Sequence, residues 1–148
     1  MEKILNFIKQ NVKFRNICSI VLGCIIGALT NGFIVKYGPL LIPNPPGYSH
    51  ATIELFKSTI HLLQPIHYLV PFTAHAVGTL VGSVVACKIA LSKHKLLSNL
   101  VATLFFLGGL YMVIVLYPVS PMWFNVVDLV GAYFPMAWIA YKLALKPN

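Results

Sequence analysis

Four polar residues lie at a common depth in four apolar stretches of the sequence: Asn31, His75, Tyr111 and Asp128. Each is about six residues from one end of its stretch, or roughly 9 Å below a membrane surface at the rise of an α-helix. Asp128 is the only acidic residue in these stretches. Because an ionised carboxylate costs several kcal/mol in lipid, Asp128 is predicted to face inward and contact a partner, most simply His75.

Two interpretations of this cluster stay open. An Asp–His contact inside a membrane could hold a proton, an ion or a small polar ligand, with Asn31 and Tyr111 as hydrogen-bond neighbours. The same contact could instead only fix the packing of the helices, because polar side chains commonly join transmembrane helices. The chain would then be a structural or assembly module of a membrane complex.

A second group of side chains, His50, Glu54 and His61, could bind a metal ion. Glu54 is four residues after His50 and seven before His61, so the three would lie near one face of a helix. Zinc binds imidazole and carboxylate, and three protein ligands leave one position open. Histidines also occur on surface helices without metal, so we predict no metal and keep these three as the candidate ligands.

Other chemistry finds little support in the sequence. The three cysteines form no CxxC pair, which argues against a thiol oxidoreductase. A b-type haem between helices usually needs two facing histidines, and only His75 is well inside a span. Small multidrug exporters carry a carboxylate in the first span, where this chain has Asn31. No nucleophile–base pair or phosphate loop is present, so we predict no cofactor and favour a protein that is not an enzyme.

The composition indicates a membrane protein. Of the 148 residues 58% are hydrophobic and 9% are charged, with a mean hydropathy of +0.81, whereas soluble domains carry about 25% charged residues. The net charge of +8 comes from basic residues beside the apolar stretches, where they orient the chain and bind lipid headgroups. They form no basic patch interleaved with aromatic residues, so no nucleic-acid partner is predicted.

The fold class predicted is all-α: one domain over 1–148, a bundle of four transmembrane helices in the lipid bilayer. The spans are placed at about 17–37, 69–91, 96–117 and 122–142, because about 20 apolar residues cross the hydrocarbon core. The first is too long for a signal peptide and has no clear cleavage site. Residues 1–14 are predicted to form a helix on the membrane surface.

The first loop, 38–66, is predicted to contain an amphipathic helix. Its first part is rich in proline, which prevents continuous helix. Ser49 is then a suitable N-cap. The apolar residues that follow recur at helical spacing and should pack on the bilayer or on the mouth of the bundle: Ile53, Phe56, Ile60 and Leu63.

The distribution of basic residues predicts that both termini are cytoplasmic. Two basic residues, Lys36 and Lys57, lie on the side of the first loop. The other nine lie on the opposite side: Lys3, Lys9, Lys13, Arg15, Lys88, Lys93, Lys95, Lys142 and Lys146. Since the side rich in Lys and Arg stays in the cytoplasm, the first loop is predicted to be external.

Small residues recur at every fourth position of the second span: Ala74, Gly78, Gly82, Ala86 and Ala90. Gly23 and Gly27 have the same spacing in the first span. Small residues allow transmembrane helices to approach closely. The second span should therefore be central in the bundle, or the glycines Gly78 and Gly82, or Gly23 and Gly27, should form the interface of a homo-oligomer.

Three segments together resemble a group of small bacterial inner-membrane proteins: IPNPPG (42–47), HLLQPIHYLVPFTAHAVGTLVGS (61–83) and WFNVVDLVGAYFPMAW (123–138). The resemblance extends over most of the chain from the first span onward. It implies a four-helix topology and a multi-pass location in the bacterial inner membrane, and it implies no activity.

Overall fold

The computed structural model describes residues 11–145 and is all-α, with no strand in that range. Its six α-helices, some joined by short 3-10 turns, are α1 Val12–Tyr37, α2 Ile53–Thr59, α3 Leu69–Ile89, α4 His94–Val115, α5 Met122–Gly131 and α6 Phe134–Ala144. The two ends of the bundle differ in the segments that connect the helices. We call the end that carries residues 38–68 and 116–121 the loop end, and the end that carries residues 90–93 the hairpin end.

Four helical segments are long and apolar enough to cross a membrane: Val12–Leu40, Pro65–Ile89, His94–Val115 and Met122–Ala144. This confirms the all-α class and the four apolar spans, and it indicates a multi-pass membrane protein. The first span begins earlier than predicted because Asn11 caps α1, its side chain accepting a hydrogen bond from the Phe14 backbone N–H at 3.0 Å. Residues 12–14 therefore belong to α1, and the rest of the predicted surface helix, 1–10, lies outside the described residues.

The fourth span is broken, where the sequence predicted one helix over 122–142. Gly131 ends α5, Tyr133 has non-helical backbone angles (φ −116°, ψ −80°), and α6 begins at Phe134. Pro135, in the first turn of α6, explains the break. Its ring would clash with the carbonyl of Gly131 in a continuous helix, and it has no N–H to donate.

The small residues bring α1 and α3 into backbone contact. A methyl group built on Gly23 would lie 2.6 Å from the carbonyl oxygen of Gly82, and one built on Gly27 would lie 2.7 Å from that of Gly78. Helix α3 also packs against α4, α5 and α6, so the second span is central in the bundle. The four glycines are thus occupied within one chain, and association of two copies through them would have to replace this contact.

The first loop contains the predicted helix in a shorter form, α2 followed by a 3-10 turn at Ile60–Leu62. Thr52, rather than Ser49, caps it, by accepting a hydrogen bond from the Leu55 N–H at 3.2 Å. The Ser49 backbone is instead bonded to the Thr59 hydroxyl. Of the predicted apolar face, Ile60 is fully buried and Ile53 is exposed, so the helix packs through its C-terminal end.

Candidate functional site

His75 of α3 and Asp128 of α5 are in direct contact. The imidazole Nδ1 lies 2.9 Å from each carboxylate oxygen of Asp128. A third side chain completes the cluster, because the Tyr133 hydroxyl donates a hydrogen bond to Asp128 Oδ2 at 3.0 Å and lies 3.2 Å from His75 Nδ1. The sequence predicted the first contact and did not predict Tyr133.

The break in the fourth span is what brings Tyr133 to the carboxylate. Residues five apart in a continuous α-helix point about 140° away from each other. The non-helical backbone at Tyr133 turns its ring back towards Asp128 and places it beside His75, with ring centroids 5.8 Å apart. The sequence signal for this arrangement is a tyrosine just before a helix-breaking proline, Pro135, shortly after the only acidic residue of the span.

Packing encloses the carboxylate end of the cluster more than the imidazole. Asp128 and Tyr133 are 3% and 1% exposed, whereas the His75 side chain is 26% exposed. Gly109 of α4 makes room for the phenol, since a methyl group there would collide with the Tyr133 hydroxyl. Asp128 and Tyr133 are therefore held in place by packing, and the imidazole of His75 is the part of the cluster that is accessible.

The hydrogen bonds define which imidazole nitrogen carries the proton. An ionised carboxylate can only accept hydrogen bonds, so Nδ1 of His75 donates to Asp128. In a neutral imidazole the lone pair then lies on Nε2. A carboxylate in this position fixes the orientation of the ring. Nε2 can therefore accept a hydrogen bond or a proton.

A cavity of about 260 Å³ lies against the cluster, and we call it the loop-end cavity. Residues of the first loop, including Tyr48, Phe56 and Ile60, line its outer part. The helices line it down to the level of His75 and Asp128. Burial raises the pKa of Tyr48 above its usual value, and the nearby Tyr68 adds to the effect. The walls of the cavity are mostly apolar. At its inner end the main polar group is the His75–Asp128 pair.

A second cavity of about 250 Å³ lies between α1 and α4, and we call it the lateral cavity. Asn31, Ala28, Leu104 and Gly108 line it together with Tyr133. His75, Gly109 and Met112 line both cavities. The imidazole is therefore located where the two cavities approach each other.

Two of the four predicted site residues are in contact, one is close by, and one lies elsewhere. Asn31 shares the lateral cavity with His75, although no hydrogen bond joins its side chain to the pair in residues 11–145. Tyr111 is 60% exposed on the outer surface of the bundle. Residues 109 and 111 point about 200° apart on a helix. Since Gly109 faces Tyr133, Tyr111 must face away from the cluster.

The candidate metal ligands of the first loop are not gathered into a site. His50, Glu54 and His61 are all exposed. Within the described part of the chain, no three His, Cys, Asp or Glu side chains are close enough together to hold a metal ion. His50 lines the loop-end cavity, as does His67, whose Nδ1 is bonded to the Gln64 backbone N–H at 2.9 Å.

No protein-family model, curated protein or solved structure matches the chain.

Proposed function

We propose that this chain is a multi-pass protein of a bacterial inner membrane that holds a proton or a small polar ligand at His75 and Asp128. The observation that carries the proposal is the buried carboxylate–imidazole pair beside a cavity. Ionisable side chains are expensive inside a membrane and are found there mainly where they face a cavity or move a proton or an ion.

The pair has the groups that binding a proton requires. Nε2 of His75 accepts the proton, and the Asp128 carboxylate, which holds Nδ1–H, stabilises the imidazolium that forms. The Tyr133 hydroxyl donates a hydrogen bond to the same carboxylate. A neutral ligand with an O–H or N–H group would donate to the same lone pair. Proton and ligand therefore compete for Nε2.

The charge distribution supports a location of the site in the outer half of the membrane, with both termini cytoplasmic. In residues 11–145 the loop end carries Lys36 and Lys57, and the hairpin end carries six basic residues: Lys13, Arg15, Lys88, Lys93, Lys95 and Lys142. The end richer in Lys and Arg is expected in the cytoplasm. The loop-end cavity would then open towards the outside.

The alternative is a structural or assembly module, in which the cluster only joins α3 to the fourth span. The nearly complete burial of Asp128 and Tyr133 supports it, as does the close packing that their hydrogen bonds provide. A purely structural contact, however, needs no cavity beside it. The partial exposure of His75 between two cavities favours the site.

Chemical modification of the histidines separates these two functions. Diethyl pyrocarbonate is a small reagent that acylates an unprotonated imidazole nitrogen, and peptide mass spectrometry reports each histidine separately. In lipid nanodiscs we expect His75 to react although it lies within a span. Val113→Phe, in the wall of the loop-end cavity, should slow that reaction.

Ile114→Phe is the matched control, because Ile114 is 66% exposed on the outer surface of the same helix. It should leave the rate at His75 unchanged. A His75 that never reacts under conditions where exposed His50 and His61 are fully modified would support the structural module and contradict the site.

A further inference from the structure

The lateral cavity opens on the side of the bundle that faces lipid. Its lining residues Ala28 and Gly108 are exposed at the protein surface, and Leu104 is 53% exposed. All three belong to helices that are long and apolar enough to span the membrane. Exposed residues in the middle of such helices contact acyl chains, so the cavity is a crevice continuous with the hydrocarbon region.

The polar groups of the crevice lie at its inner end. His75 is shared with the loop-end cavity, and the phenol of Tyr133 is beside it. The Asn31 side chain, on α1, lines the same crevice. An occupant would therefore have an apolar part between α1 and α4 and a polar part at His75.

The charge of the cluster determines which polar head group an occupant of the crevice can have. Asp128 carries the negative charge, and its Nδ1–H partner leaves a lone pair on Nε2 of His75 that accepts hydrogen bonds. A hydroxyl or an amine can donate to that lone pair, and an ammonium group is also attracted by Asp128. A head that stays ionised in the membrane, such as a sulfonate, has no proton to donate and is repelled by Asp128 in this low dielectric.

We propose that the crevice between α1 and α4 is a lateral entrance by which a single-chain membrane amphiphile with a hydroxyl or amine head reaches His75 directly from the bilayer. The volume of about 250 Å³ suits a chain segment and a small head, since pockets for drug-sized ligands are roughly 300–1,000 Å³. The inference rests on the proposed function, because it uses the same His75 as the binding group.

Photoreactive amphiphiles test the entrance. Three probes of equal chain length, a hexadecanol, a hexadecylamine and a hexadecanesulfonic acid, each carry a diazirine near the head and are added to the protein in nanodiscs. We expect the alcohol and the amine to label the segments 28–31 and 104–109, and the acid to label them much less. His75→Leu should lower that labelling by about tenfold, the loss expected for one hydrogen bond to a charged pair.

Blocking the crevice tests the route. A methyl group built on Gly108 meets no atom within 4 Å, so Gly108→Phe should fold normally while its ring occupies the crevice. It should abolish labelling of 28–31. Gly32→Phe is the matched control, because Gly32 also has open space around it and does not line either cavity. Thermal unfolding in detergent verifies that both variants are folded.

Each unfavourable result is distinct. Equal labelling by the acid would overturn the selection of the head group, and labelling that Gly108→Phe does not change would overturn the entrance. Labelling spread evenly over all exposed helix faces would mean that the probes contact only the lipid-facing surface, and it would overturn the crevice as a binding site. If diethyl pyrocarbonate still modifies His75 while no probe labels the crevice, the proposed function stands and the lateral entrance is wrong.

Discussion

Asp128 approaches His75 symmetrically, with both carboxylate oxygens 2.9 Å from Nδ1 of the imidazole. The two residues are 53 positions apart in the chain and come from the second and fourth spans. Within residues 11–145 the structure records no other ion pair for either residue. The contact is therefore expected to determine both the stability of the bundle and the state of the site.

The first prediction is that His75 and Asp128 act as one unit in unfolding. His75→Leu and Asp128→Asn should each lower the free energy of unfolding by about 1–3 kcal/mol, because the first leaves the buried Asp128 without its partner and the second replaces a charged hydrogen-bond acceptor by a neutral one. The double variant should cost less than the sum of the two. A double-mutant cycle on unfolding in detergent measures the coupling, and strict additivity within about 0.5 kcal/mol would show that the residues do not touch.

The second prediction concerns the hydroxyl of Tyr133. Tyr133→Phe removes the hydrogen bond to Asp128 and leaves a buried carboxylate with one donor fewer, which should cost about 1–3 kcal/mol. Tyr111→Phe removes the same hydroxyl from a side chain that is 60% exposed, and it should leave the melting temperature unchanged. Equal effects of the two substitutions would contradict the cluster as described.

The third prediction concerns the contact between α1 and α3. Gly82→Ala places a methyl group 2.6 Å from the Gly23 carbonyl oxygen, and such overpacking should cost about 1–3 kcal/mol. Gly108→Ala is the control, since its methyl group enters open space. It should leave the free energy of unfolding unchanged or raise it by up to about 1 kcal/mol, because alanine has a better helix propensity than glycine. A stable Gly82→Ala protein would mean that α1 and α3 do not pack through these glycines.

The fourth prediction is the orientation in the membrane. In a variant without Cys18, Cys24 and Cys87, a cysteine at Ser92 should react with a membrane-impermeant maleimide only after the cells are opened. A cysteine at His50 should react in intact cells, because the loop end is expected to be external. Labelling of the Ser92 position from the outside would reverse the assignment.

The apolar spans and the glycine spacing could be predicted from the sequence because both are local properties. About 20 apolar residues cross a bilayer whatever surrounds them, and glycines four apart always share one helix face. Pairing of Asp128 with His75 was predictable for a related reason. A carboxylate in lipid requires a partner, and few residues at its depth could serve.

The rest of the site depends on how each helix is rotated about its axis. The depth of a residue along the helix does not specify that rotation. Tyr111 has the predicted depth and faces away from the cluster, whereas Tyr133 enters it because the backbone breaks before Pro135. Whether glycines face another helix of the same chain or a second copy is likewise decided by packing. The positions of the spans and the need of Asp128 for a partner could be read from the residues alone. Which tyrosine joins the pair, and that two cavities reach His75, follows only from the folded chain, because both depend on contacts between residues distant in the chain.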